Sequence, residues 1–160
     1  MKLLLKNVLF TLLIPGTVGV YVPLILARGL SANLGPTLLV SLAFFGIASV
    51  IYVWSVWDFA TRGRGTPLPF DAPKRLVIRG PYQYTRNPMY VALLLALLGW
   101  ILLYLSSGLL LYTLAVAAAV SLFVTRYEEP HLQREFGADY DDYRAKVTRW
   151  LPRLPRFPDA

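Results

Sequence analysis

Apolar residues fill four long stretches of this chain, and polar residues collect between them. Residues 3–26 carry no charge except Lys6, and residues 36–57 carry none. Residues 89–125 are also uncharged, with Ser106-Ser107-Gly108 breaking the run near its middle. Roughly 20 apolar residues in a helix cross the hydrocarbon of a bilayer. The pattern therefore predicts spans near 6–26, 36–57, 88–105 and 108–126, the last two as a tight hairpin. The first stretch is too long for a secretory signal and has no small-residue cleavage site ahead of Arg28, so a retained span is expected. The expected fold is all-α and integral to the membrane, a single domain over 1–160 with about four transmembrane helices. A polar loop at 58–87 and a C-terminal segment at 127–160 complete it.

Composition agrees with this division. Hydrophobic residues make up 56% and charged residues 16%, against about 45–50% and about 25% in soluble domains. Four spans put the N-terminus, the 58–87 loop and the C-terminal segment on one side, and these hold every Lys and Arg except Arg28. Under the positive-inside rule that side is cytoplasmic, as for a protein of a bacterial or archaeal inner membrane. The net charge of +7 is thus an expression of topology. No basic stripe or fold signature accompanies it, which argues against nucleic acid as a partner. Without cysteine there are neither disulfides nor thiolates. His131 stands without a second histidine, so no metal site is expected.

Within the spans, Pro15, Gly16, Gly19, Gly46, Ala48 and Ser49 are positions where helices can approach closely. Tyr52, Trp54, Trp57, Trp100 and Tyr104 fall near span ends, where aromatic residues anchor at the interface. Gly99, beside Trp100, is expected to serve packing.

The chemistry lies outside the spans. The loop TRGRGTPLPFDAP at 61–73 cannot be a regular helix or a central strand, and its Gly63 and Gly65 would let backbone come close to a ligand. Next comes GPYQYTRNPMY, Gly80 to Tyr90. Asn87 ahead of Pro88 is a good N-cap for the third span. The amides at that helix start would favour an anionic group such as a carboxylate. Capping accounts for Asn87 and Pro88 but leaves Arg86 and three tyrosines around them unexplained.

At the end of the fourth span stands Arg126-Tyr127-Glu128-Glu129. A hairpin would bring this cluster back to the Arg86 cluster, an arrangement suited to a ligand site at a membrane surface. Beyond it, Leu132, Phe136, Tyr140, Tyr143 and Val147 recur at helical spacing, which predicts an amphipathic helix on the membrane or over the loop. Gly137 would bend or cap that helix, and Pro152, Pro155 and Pro158 predict an extended tail.

Two motifs, LV-x-x-G-x-Y-x-x-x-R-N-P-x-Y from Leu76 to Tyr90 and E-E-x-x-L-x-x-x-F-G-x-x-Y-x-x-Y from Glu128 to Tyr143, flank the apolar hairpin. Their order and spacing resemble the integral-membrane methyltransferases, a group that includes isoprenylcysteine carboxyl methyltransferases and phospholipid N-methyltransferases. The resemblance covers roughly residues 61–155. It implies S-adenosylmethionine as methyl donor, bound on the cytoplasmic side, with a lipidic or lipid-modified acceptor. By position it implies cofactor contacts at Leu76, Val77, Tyr82, Asn87, Pro88, Met89, Tyr90 and Glu128. Glu129, beside Glu128, could likewise accept from the donor's ribose hydroxyls or amine. Arg86 and Arg126 could orient the substrate, Arg126 lying near an arginine which that family uses so. Asn87 stands where the isoprenylcysteine enzymes usually carry histidine, so that position cannot titrate near neutral pH. A rival expectation is a non-enzymatic helical scaffold or cofactor-binding subunit. Transport is disfavoured, because no charged residue lies at mid-depth in a span.

Overall fold

A computed structural model describes residues 9–63 and 76–152. The expectations for Gly65 and the prolines of the 64–75 loop, and for an extended tail at Pro155 and Pro158, fall outside the described residues. Every regular element among those residues is helical.

Helix α1 runs Leu9–Leu26 and helix α2 runs Thr37–Thr61. Helix α3 spans Pro88–Tyr104, and α4 spans Ser107–Phe123. Helix α5, Glu129–Phe136, continues α4 through a wide turn at Val124–Glu128. A short α6, Ala138–Lys146, ends the described helices. Three helices are long and apolar enough to cross a membrane, Leu9–Leu26, Thr37–Thr61 and Ser107–Phe136, and the shorter α3 is apolar along its length. The expected spans correspond closely to these four, but the fourth does not stop at 126; it runs on as one helical column into the C-terminal segment.

At about 1.5 Å per residue, α2 is about 37 Å long and the α4–α5 column about 45 Å. Both exceed the roughly 30 Å of hydrocarbon. Their excess projects at the end where α1 and α3 begin, and the polar clusters gather there.

Two prolines shape the long helices by removing a donor. Pro130 has no N–H to give the Arg126 carbonyl four residues earlier, and the chain widens just before it, the Glu129 N–H reaching back to Val124 O. In α1 the wide turn at Thr17–Tyr21 precedes Pro23, and the Val22 N–H reaches Thr17 O. The Val18 and Gly19 carbonyls are thereby released from the helix ladder. A freed carbonyl in hydrocarbon must find another donor. Tyr112 Oη donates to Val18 O at 2.9 Å, and Trp100 Nε1 donates to Gly19 O at 2.9 Å. These two bonds tie α1 to α3 and α4.

Trp100 is therefore turned inward, unlike the interfacial anchor its position suggested. Replacing Trp100 with Phe is expected to cost about 1 kcal/mol, and Pro23→Ala, which returns an N–H to Gly19 O, should recover part of the loss. Thermal denaturation of both single variants and the double variant would measure this. An additive double variant would contradict the account.

Close packing of α2 on α3 rests on small residues. Ser41 Oγ donates to Gly99 O at 2.9 Å. A methyl group added at Gly99 would lie 3.0–3.1 Å from three atoms of the Phe45 ring, which meets Trp100 edge-on. A methyl group at Gly19 would come closer still, 2.8 Å from Leu93 Cδ1. Gly46, by contrast, has nothing within 4 Å of an added methyl and does not serve helix approach. Tyr52 also faces inward, its hydroxyl bonded to Thr11 Oγ1 at 3.0 Å across α1 and α2.

The C-terminal helices pack over the loop. Tyr140, Tyr143 and Val147 form a buried cluster against Leu76, Ile78, Leu132 and Phe136. The amphipathic spacing in the sequence thus describes a face covering the 76–85 segment. Gly137, at φ +52°, makes the break between α5 and α6.

Candidate active site

At the projecting end of the bundle the structure encloses a cavity of about 480 Å³. Its polar wall is built from three segments. The 76–87 segment contributes Leu76, Val77, Tyr82, Arg86 and Asn87, the start of α3 contributes Pro88, Met89 and Tyr90, and the α4–α5 column contributes Tyr127, Glu128, His131 and Leu132. The rest of the lining is mostly apolar and comes from the spans: Phe10, Ile14, Pro15 and Val18 of α1, Tyr52 and Phe59 of α2, Leu93 of α3, and Ala119, Val120 and Phe123 of α4.

Tyr82 is placed by a single turn of 3₁₀ helix at Gly80–Gln83. That turn opens with Gly80 at φ +57°, where its backbone lies against the end of α2. Burial pushes the phenols of Tyr82 and Tyr143 up, so both stay protonated donors. Tyr143 Oη donates to Tyr82 O at 2.8 Å, fastening α6 to this turn.

The start of α3 differs from the expectation. Asn87 occupies the N-cap position, but its side chain makes no cap bond. Its Nδ2 instead donates to Arg149 O at 3.1 Å. Thr85 Oγ1 donates to the same carbonyl at 2.9 Å, and the Arg86 amide donates to Thr148 O at 2.9 Å. Residues 148–149 are strapped across the polar segment. The first turn of α3 is left without a side-chain cap, and its N-terminal amides are of the kind that receive an anionic group.

The two adjacent glutamates have different surroundings. Glu128 Oε2 accepts from Tyr90 Oη at 3.0 Å and lines the cavity. Glu129 is buried and does not line it. Arg149 grips Glu129 with a two-pronged contact at 2.9 and 2.7 Å, and Arg86 Nη1 lies 3.0 Å from its Oε1. Arg86 therefore reaches from the cavity wall to Glu129. Arg126 is exposed and stands outside the cavity lining.

Of the residues singled out in the sequence, Leu76, Val77, Tyr82, Arg86, Asn87, Pro88, Met89, Tyr90 and Glu128 meet around one cavity; Glu129 and Arg126 do not join them. The α1 contribution was not legible beforehand, because Phe10, Ile14 and Val18 are ordinary span residues. Nor was the ring ladder Phe123–Tyr127–His131, stacked with centroids 5.2 and 6.1 Å apart. Their spacing at every fourth residue was the available signal. Among the described residues no group of three or more His, Asp or Glu could hold a metal ion.

A helical membrane architecture with an amphiphilic cavity at the mouth of a hairpin is the class that this geometry defines. The family profile of the phospholipid methyltransferases matches residues 36–139, and the chain belongs to that family. The expected resemblance to integral-membrane methyltransferases is thus borne out. Methanethiol S-methyltransferase 2 of Bradyrhizobium diazoefficiens is 40% identical over 73 residues, 46% of this chain and 27% of that protein's length. An uncharacterized protein of Haemophilus influenzae is 38% identical over 63 residues, 39% of this chain and 100% of its own. No solved structure matches.

Proposed function

We propose that this protein transfers a methyl group from S-adenosylmethionine to a lipid or lipid-modified acceptor at the cytoplasmic face of the membrane. The observation that carries this reading is that one cavity is lined both by Arg86, Asn87, Tyr90 and Glu128 and by apolar residues of the spans. Such a cavity suits a polar donor together with a greasy acceptor entering sideways from the bilayer.

The residues present fit the donor's chemistry. Glu128, half-buried and already holding one hydroxyl, has the acceptor capacity for ribose hydroxyls or an amine. The uncapped amides at the start of α3 suit a carboxylate. Tyr82 and Tyr90 offer ring faces to an adenine or a cation. Bound there, the donor would supply an electrophilic methyl group. The protein's own work is then positioning and exclusion of water, carried by the packed α6 and the 148–149 strap. Arg86 lines the cavity while paired with Glu129, and its remaining guanidinium donors can orient an anionic part of the acceptor. Exposed Arg126 is suited to a lipid phosphate at the surface. The family's name suggests a phospholipid amine, and the Bradyrhizobium relative's name adds a thiol to the acceptors worth trying.

Calorimetric titration of S-adenosylmethionine and S-adenosylhomocysteine into nanodisc-embedded protein tests the donor site. Both should bind, and Glu128→Gln should weaken binding about 10- to 100-fold, the worth of a charge-assisted hydrogen bond. A lipid-extract screen with labelled donor would then identify the acceptor. If the folded protein binds neither compound, with or without added lipid, a non-enzymatic scaffold becomes the better description.

A further inference from the structure

We propose that His131 takes the proton from the methyl acceptor, and that the acceptor is therefore a protic nucleophile, a thiol or an amine, in preference to a carboxylate. This rests on the methyl-transfer reading above and adds to it a base and a substrate class.

The cavity wall holds His131 one helical turn beyond Glu128. Its ring lies nearly parallel to Tyr127, at 6° and a centroid distance of 6.1 Å, and Tyr127 stacks in turn on Phe123. The imidazole thus lies along one face of the Tyr127 ring. Its Nε2 is buried and has no hydrogen-bond partner among the described residues. Leaving a buried imidazole nitrogen unpaired is costly, and such an atom in a cavity wall calls for a partner that the described residues do not supply.

The other titratable groups around the cavity are unsuited to the task. Glu128 holds Tyr90 and, in the reading above, its remaining acceptor capacity is taken by the donor's hydroxyls or amine, while Arg86 is paired with Glu129. Tyr52 donates to Thr11 and Tyr143 to the Tyr82 carbonyl. Burial keeps Tyr82 and Tyr143 protonated. Tyr127, stacked on His131, is exposed to solvent. Histidine is the side chain whose ordinary range lies near neutral pH, and this chain has one histidine.

Acceptor chemistry decides what that base is for. A carboxylate is ionised at neutral pH and attacks without help, whereas a thiol (about 8.5) or an ammonium (about 10.4) must first give up a proton. The acceptor's X–H bond breaks, and its proton goes to the Nε2 lone pair. The heteroatom's pair forms the X–CH3 bond while the methyl–sulfur bond breaks, its pair remaining on sulfur as a neutral thioether. One positive charge leaves the sulfur and one appears on the imidazole, so the net charge of the site beside Glu128 is unchanged.

Because the chain has one histidine, histidine-labelled protein in nanodiscs gives one set of imidazole nitrogen signals. With S-adenosylhomocysteine bound, octanethiol and octylamine should each move the Nε2 signal upfield, as accepting a hydrogen bond or proton does. Octyl methyl sulfide, which has no proton to give, should leave it in place. In turnover with octanethiol, His131→Phe, which keeps a ring to stack on Tyr127, should lose about 100-fold or more. His131→Gln should lose as much, and both should bind S-adenosylhomocysteine like the unaltered protein.

An Nε2 signal indifferent to thiol and amine while S-adenosylhomocysteine binds would overturn the inference and leave the donor site standing. So would undiminished thiol transfer by His131→Phe, or methylation of octanoate alone. Absence of S-adenosylhomocysteine binding would instead remove the methyl-transfer reading, and this inference with it.

Discussion

Glu129→Ala is expected to destabilise the protein by about 3 kcal/mol and to release the strap at residues 148–149. Its carboxylate is the meeting point of two guanidinium groups, Arg149 on the strap and Arg86 on the cavity wall. The Arg86 and Glu129 side chains are only 10% and 9% exposed. Removing one partner of a buried pair strands the other charge, at a cost of about 3–5 kcal/mol. The lower end applies because Arg149 is 37% exposed and can turn to water. For a chain of this size, about 3 kcal/mol corresponds to a fall in Tm of about 6–12 °C. Released from Glu129, the strap would retain its bonds to Thr85, Arg86 and Asn87, so limited proteolysis near Arg149 should accelerate without general unfolding. A melting temperature within about 2 °C of the unaltered protein would show that the two arginines are not held by this carboxylate.

Gly80→Ala carries the second large effect. Its φ of +57° costs a residue with a side chain about 1–2 kcal/mol. Space adds to this: the new methyl carbon would sit 2.0 Å from Asp58 Oδ2 and 2.7 Å from Trp54 Nε1. Both atoms belong to the end of α2, so either the 3₁₀ turn or the helix end must move. Overpacking of this kind adds about 1–3 kcal/mol. The turn carries Tyr82 into the cavity, so the displacement should appear as lost ligand affinity beyond the lost stability. Gly46→Ala is the control, because it faces open space on α2 and replaces glycine by a better helix former. Equal thermal stability of the two variants would contradict this account of Gly80.

The same distinction between local and distant causes separates what the sequence revealed from what it did not. Span limits were legible because hydrocarbon imposes length and apolarity on consecutive residues. The expected 88–105 lies within a residue of Pro88–Tyr104, and the expected 36–57 starts within a residue of α2, which runs four residues further, to Thr61. The wall residues from Leu76 to Tyr90 were legible as a motif. The parting of Glu128 from Glu129 was not, since neighbours on a helix point about 100° apart and only the packed structure says which one meets Tyr90. The wide turn at Val124–Glu128 adds to the difficulty by shifting the phase of every residue after it. Asn87 illustrates the same limit. An Asn-Pro pair looks alike whether the amide caps its own helix or reaches a carbonyl 62 residues away. Trp100 is a third case, its partner created by a proline in another helix.

Helix α3, with 17 residues, is about 25 Å long, several ångströms short of an average bilayer core. It turns back at Leu105 through a left-handed residue and resumes at Ser107, so the hairpin tip is fixed close to its end. A bilayer meeting so short an element thins around it, or the element sinks toward one leaflet. Either adjustment brings lipid headgroups down toward the uncapped start of α3. The membrane would then be more than a solvent here: local bilayer thickness would set how far a headgroup must travel to reach the cavity, and lipid chain length would become a control on access.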